Sequence, residues 1–147
     1  MSRKDLLDAF AIEAFLTGMA AERATARASH EDLGGLDSLH GKMLDADSAS
    51  DQEAMVELNW LFHRTINRLA GSRKLLVALR KVSIDLPRDF LVELPSWSKQ
   101  SNIEHAEILD SMRAGHGETA RSRMVAHVAE SGRGLVDHLV SQGVSIE

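Results

Sequence analysis

His63, His105 and His127 each fall on the apolar face of a different predicted helix, and Asn59 stands one turn before His63. Helical proteins ordinarily fill such positions with Leu, Ile or Met. An imidazole placed there loses hydration unless something inside binds it. One partner able to satisfy three convergent imidazoles and an amide oxygen together is a divalent metal ion. The alternative for any single one is a core histidine hydrogen-bonded to a backbone carbonyl.

Helical spacing sharpens the choice. In the third predicted helix Met55, Phe62, Ile66 and Leu69 form one stripe, with Asn59 and His63 on its flank as an i, i+4 pair. His105 is surrounded by Ile108, Leu109 and Met112. His127 aligns with Ala120, Met124 and Ser131, small enough in part to leave room beside it. The helices carrying His105 and His127 are joined by a short link and should run antiparallel. Each histidine lies about ten residues from that link, hence about 15 Å from the turn at 1.5 Å rise per residue. Both then stand at one level, where His63 and Asn59 can join them. Imidazole suits zinc, nickel, copper, iron or manganese, and a neutral amide oxygen makes a weaker fourth ligand. Such a centre would keep positions open for water or a ligand's carboxylate.

The elements that must position these groups are all helices. No strand alternation occurs, and abundant Ala and Leu with few aromatics favour helix over sandwich or barrel. Helices are predicted from about Asp5 to Ala28 and from His30, capped by Ser29, to about Asp45. DADSAS reads as a polar loop, after which Ser50 and Glu53 form a capping box for a third helix ending near Gly71. A fourth helix carries Leu75, Leu76, Leu79 and Val82 and is kinked or split by Pro87. The fifth starts near Pro95 and Ser96 and ends at Gly115. The sixth runs from about Glu118 to Val140, and SQGVSIE reads as a loose tail. The expectation is one domain over residues 1–147, an all-α antiparallel bundle of about six helices.

Composition narrows the function classes. The absence of Cys excludes disulfides and thiolate chemistry, and a formal charge of -5 argues against direct nucleic-acid binding. Without a signal-like apolar run or a span of about 20 apolar residues, a cytoplasmic location is expected and no membrane partner.

Three segments carry a family likeness. NWLFHRTINRLAGSRKLL resembles the D-x-x-F-H…SGN stretch of the FadR C-terminal-like (FCD) effector domains of GntR-type bacterial transcription regulators. EHAEILDSMRAGHGETARSRMVAHV resembles their E-H-x-x-I-x-x-A-x-x-G-D-x-x-A…M-x-x-H stretch, with the family's 22-residue spacing from His105 to His127. IEAFLTGMAAERAT is similar to their first helix. The resemblance implies a dimerising helical bundle. In the family's metal-binding branch an Asp or Asn and three His hold a divalent metal (zinc, nickel or manganese) beneath a pocket for a small organic acid. By position these ligands are Asn59, His63, His105 and His127.

The chain departs from the family pattern in several places. Asn59 replaces the usual Asp, removing a negative charge. A helix-one Arg that would clamp a carboxylate is absent, the region reading Asp8, Ala9, Phe10. His116 replaces the usual Asp after the fifth helix, weakening a cap. Only MSRK precedes helix one where relatives carry a winged helix-turn-helix domain, so DNA contact is expected only indirectly, through a domain not in this sequence. Arg73, Lys74, Arg80, Lys81 and Arg88 give the fourth helix a basic character. Arg80 or Arg88 is a candidate to reach an effector carboxylate, against the commoner fate of a solvated face.

The leading expectation is a metal-dependent carboxylate sensor that signals through a homodimer. A metal-dependent hydrolase or lyase of small organic acids competes, but needs an acid or base near the metal. Glu104 adjoins His105 yet points about 100° away from it, Glu107 is no better placed, and Ser131 alone lies inward. The third reading is a metal-free dimerisation module. Trp60 and Trp97 are assigned to core, pocket or interface, His30, His40 and His116 to the surface, and His138 to packing too far along its helix to share the metal.

Overall fold

The computed structural model describes residues 1–83 and 86–146. Its elements are α1 (Arg3–Arg27), α2 (His30–Ser48), α3 (Gln52–Leu69), α4 (Arg73–Ser83), a 3-10 helix (Arg88–Glu93), α5 (Trp97–Arg113) and α6 (Gly117–Ser141). Among the described residues there is no strand, and no helix is long and apolar enough to cross a membrane.

Local chemistry sets the helix boundaries. Ser2 with Asp5 and Ser29 with Asp32 close reciprocal capping boxes at the starts of α1 and α2. Gly115 and Gly143, at φ +73° each, turn the chain out of α5 and α6. One boundary differs from the sequence reading. α2 continues through Ser48, so most of DADSAS is helix, and Ser50 adopts a left-handed conformation with φ 53°. Its N–H bonds Asp47 O, and the Asp51 N–H reaches back to Ala46 O, a Schellman closure. A residue held in that conformation cannot also be an extended N-cap. Asp51 caps α3 instead, its carboxylate accepting from the Ala54 N–H.

Pro87 splits rather than kinks. α4 ends at Ser83, Ile84 and Asp85 lie outside the described residues, and Pro87 leads into the 3-10 helix. Arg88 therefore belongs to that 3-10 helix and not to the basic face of α4.

The main core of the bundle is shared by α1, α2, α3, α5 and α6. Leu36, Met43, Met55, Phe62, Ile66, Ile108, Leu109 and Met124 are each at most 1% exposed. Burying side chains of this size contributes about 1.5–3 kcal/mol apiece before entropy is counted. α1 and α6 pack along most of their lengths, which small residues permit. A Cβ on Gly132 would overlap the Phe10 ring, so only glycine lets the two backbones approach there. A second apolar cluster, Leu6, Phe10, Leu86, Leu135, Val136 and Leu139, closes one end, and Ile146 packs against it. The expected loose tail is thus docked through that residue. On the other side of α1, Leu75 and Leu79 of α4 meet Ala20 and Ala70.

Candidate metal centre

Three helices place the histidines. His63 comes from the middle of α3, His105 from the middle of α5 and His127 from α6, across the hairpin turn at Ala114–His116. The depth-matching of α5 and α6 holds. His105 Nε2 lies 3.2 Å from His127 Nε2, and His63 Nε2 completes the triangle at 3.3 Å from each. The His63 and His127 rings are parallel within 4°, while His105 stands at 73° and 70° to them. Phe62 covers His105 from one side, with ring centroids 4.5 Å apart.

Three nitrogens cannot satisfy one another in this arrangement. Glu104 Oε1 accepts from His127 Nδ1 at 2.8 Å, which places the His127 proton on Nδ1 and leaves a lone pair on Nε2, facing the other two rings. Burial, then the repulsion a protonated His127 would exert, hold His63 and His105 well below the ordinary imidazole pKa. Both are therefore neutral at pH 7. His105 Nδ1 is buried without a partner among the described residues. His127 Nε2 thus offers a lone pair at the point where the three rings meet, and His63 and His105 add theirs when their protons sit on Nδ1.

That donor set fits a divalent metal. Nitrogens bound to one zinc ion at about 2.0–2.1 Å with near-tetrahedral angles stand about 3.3–3.4 Å apart. The observed separations match without any rotamer change. Asn59, one turn before His63, has an amide oxygen that is buried and without a hydrogen-bond partner among the described residues.

Charged groups flank the triad on two sides. Arg88 forms an ion pair with Glu13 of α1, whose carboxylate is only 6% exposed. The Arg88 guanidinium is near enough to His63 to add to the depression of its pKa, after burial and His127. On the other flank Glu104 bonds both His127 and Gln100. Burial raises the Glu104 pKa, but the hydrogen bonds from His127 and Gln100 outweigh it, so the net shift is downward.

The remaining candidates separate clearly. Arg80 is exposed near the end of α4 and is not among the groups around the triad. His40 is half-buried and its Nε2 meets Asn102 O at 3.0 Å, which corrects its assignment to the surface. His116 is exposed and starts α6 without a side-chain cap bond, and His138 pairs with Glu93. Trp97 is buried, whereas Trp60 is exposed beneath the Arg64 guanidinium.

Sequence reasoning missed Glu104 and the Glu13–Arg88 pair. Glu104 does leave α5 about 100° from His105, but that direction leads to the neighbouring helix and hence to His127. A carboxylate one residue before an inward histidine on one helix of an antiparallel hairpin is positioned to bond the histidine opposite.

The model of the FCD domain matches residues 8–130. A solved structure described as Streptococcus agalactiae GntR superposes with a TM-score of 0.73 at 22% identity, covering 88% of this chain. The present chain accounts for 59% of that protein's length, and the likeness is one of fold. No curated protein matches the sequence. With the match spanning most of its length and the all-helical architecture agreeing, the chain belongs to the FCD domain family.

Proposed function

We propose that this chain is the metal-dependent sensing and dimerisation domain of a GntR-type transcription regulator, responding to a small organic acid. The observation that carries this reading is the triangle of imidazole nitrogens at 3.2–3.3 Å beside the unpartnered Asn59 oxygen. One divalent ion per chain, zinc, nickel or manganese, is held by His63, His105, His127 and Asn59. When bound, it supplies a Lewis-acidic position for an oxygen ligand. Arg88, anchored by Glu13 beside His63, offers a guanidinium to the carboxylate of the acid. The acid must bind one dimer arrangement better than another in order to signal, and DNA is reached through a separate DNA-binding domain.

Glu104 does not favour a hydrolase or lyase. It contacts His127 Nδ1, the ring nitrogen turned away from the other two imidazoles, so it orients a ligand rather than facing a reacting group. The test is elemental analysis of protein purified without an immobilised-metal column. About one equivalent of metal is expected, lost in His63→Ala and His127→Ala but kept in His40→Ala and His138→Ala. Metal below about a tenth of an equivalent, with no thermal shift on adding zinc, nickel or manganese, sinks the reading.

A further inference from the structure

The α5–α6 hairpin carries a second concavity on the Glu104 side of the triad. It is an open cavity of about 590 Å³, within the size range of small-molecule sites. Its lining combines three kinds of group. Trp97, with Leu94 and Pro95, gives an apolar wall. Glu104, Glu130 and Asp137 give carboxylates, and no Lys or Arg is among the lining residues. Ser101, only 2% exposed, also lines the cavity, and its hydroxyl pairs with no described residue. Two of the lining groups are already paired, Asp137 with Arg3 at 3.3 Å and His138 with Glu93 at 3.2 Å.

We propose that this cavity binds a small organic ammonium ion, a primary amine or diamine of a few carbons, and that Glu104 couples its occupancy to the histidine triad. The carboxylates favour a cation and disfavour the acid proposed for the other side. Glu104 is the decisive one, because its side chain is only 16% exposed and a charge-assisted bond to it is little screened. The apolar wall suits an alkyl chain, and the Ser101 hydroxyl can accept from the ammonium. A bare metal ion matches poorly. The cavity is far larger than an ion and has an apolar wall that a bare ion would leave unused.

Coupling follows from the shared carboxylate. An ammonium on Glu104 competes with the His127 Nδ1–H for the same oxygens, so the ring that Glu104 orients is held less firmly. Amine and metal therefore weaken each other's binding, by the same factor in both directions. Only this second arm rests on the metal reading.

Calorimetric titration of the metal-free full chain with 1,4-diaminobutane tests the site, with 1,4-butanediol and magnesium chloride as controls. One saturable event is expected, weakened about tenfold or more in Glu130→Gln and in Glu104→Gln, and at least as much weaker for the diol. No saturation by about 10 mM, equal binding of diol or magnesium, or an unchanged Glu104→Gln variant overturns the site. In the second arm, nickel affinity should fall about tenfold in saturating diamine. Unchanged nickel affinity overturns the coupling. Failure of the chain to bind nickel at all overturns the metal reading and the coupling with it, while the amine site is judged by its own titration.

Discussion

At His63 the neighbouring charge is the guanidinium of Arg88, and at His127 it is the carboxylate of Glu104. The two are supported differently. Arg88 is 40% exposed and reaches the bundle from a short 3-10 helix, held by a Glu13 carboxylate that is almost wholly buried. Glu104 sits on the same helix as His105 and is tied to His127 by a 2.8 Å bond. One flank therefore carries a partly solvated cation, and the other fixes the His127 ring from behind. The difference teaches that the triad is polar in the directional sense. The proposed acid would meet the Arg88 guanidinium on the His63 side, while Glu104 holds the ring on the His127 side.

Glu104→Gln breaks the comparison hardest. The amide can still accept from Nδ1–H, but it is neutral and the bond is no longer charge-assisted. Metal affinity should fall about 10–100-fold, with no change in which small acids raise the melting temperature of the loaded protein. Competition with a chromogenic chelator measures the first, and thermal shift the second. An affinity within about twofold of the parent would mean that the bond is incidental.

Arg88→Gln should do the reverse, keeping the metal and losing the acid-dependent thermal shift. It also leaves the Glu13 carboxylate buried without its partner. The cost should be about 1–2 kcal/mol of stability, below that of a fully buried pair because Arg88 is partly exposed. Chemical denaturation of the Glu13→Gln, Arg88→Gln double variant separates these effects. Stability should return toward the parent while the acid response stays absent. Return of the acid response in the double variant would remove Arg88 from the effector site.

What was legible in the sequence follows from what is local and periodic. The helical class, the stripe of Met55, Phe62 and Ile66, and the equal depth of His105 and His127 all rest on the fixed rise and turn of a helix. The Ser50 boundary was not legible, because S-x-x-E is shared by a capping box and by a chain that ends one helix at its first residue. Left-handed Ser50 selects the second. Glu13 and Arg88 are 75 residues apart, and no local rule pairs them. Arg88 could be named as a candidate only among several basic residues, and Arg80 had the same standing until the fold separated them. Glu104 was dismissed by an angle measured on one helix, when the partner was on the next.

Acid should loosen the metal-free chain through the same histidines. Burial first, and the repulsion a protonated His127 would exert second, depress the folded-state pKa of His63 and His105 below the ordinary 6.5. The unfolded chain then binds more protons in the window beneath 6.5. The stability associated with neutral imidazoles is therefore present above that pH and lost as pH falls toward the depressed folded values. Melting in chelator at stepwise lower pH should show a decline beginning near 6.5, flattened in His105→Leu. A flat profile in the parent would mean that the imidazoles are not buried as neutral bases.

Asn59 gives the smallest effect and the finest distinction between a ligand and a packing residue. Its buried oxygen has no partner among the described residues, so in metal-free protein it contributes desolvation cost without a compensating bond. Asn59→Leu removes that acceptor at similar volume, and the metal-free chain should be as stable as the parent or more so. The loaded chain should lose a few-fold in metal affinity, because a neutral amide oxygen is a weaker ligand than imidazole. Denaturation in chelator and in zinc, compared across parent and variant, reads both. If the substitution destabilises both forms equally, Asn59 is holding α3 and not a metal. If it spares the metal-free form and shrinks the increment from zinc, the unpartnered oxygen is on the His63 side for the ion, the flank where Arg88 also stands.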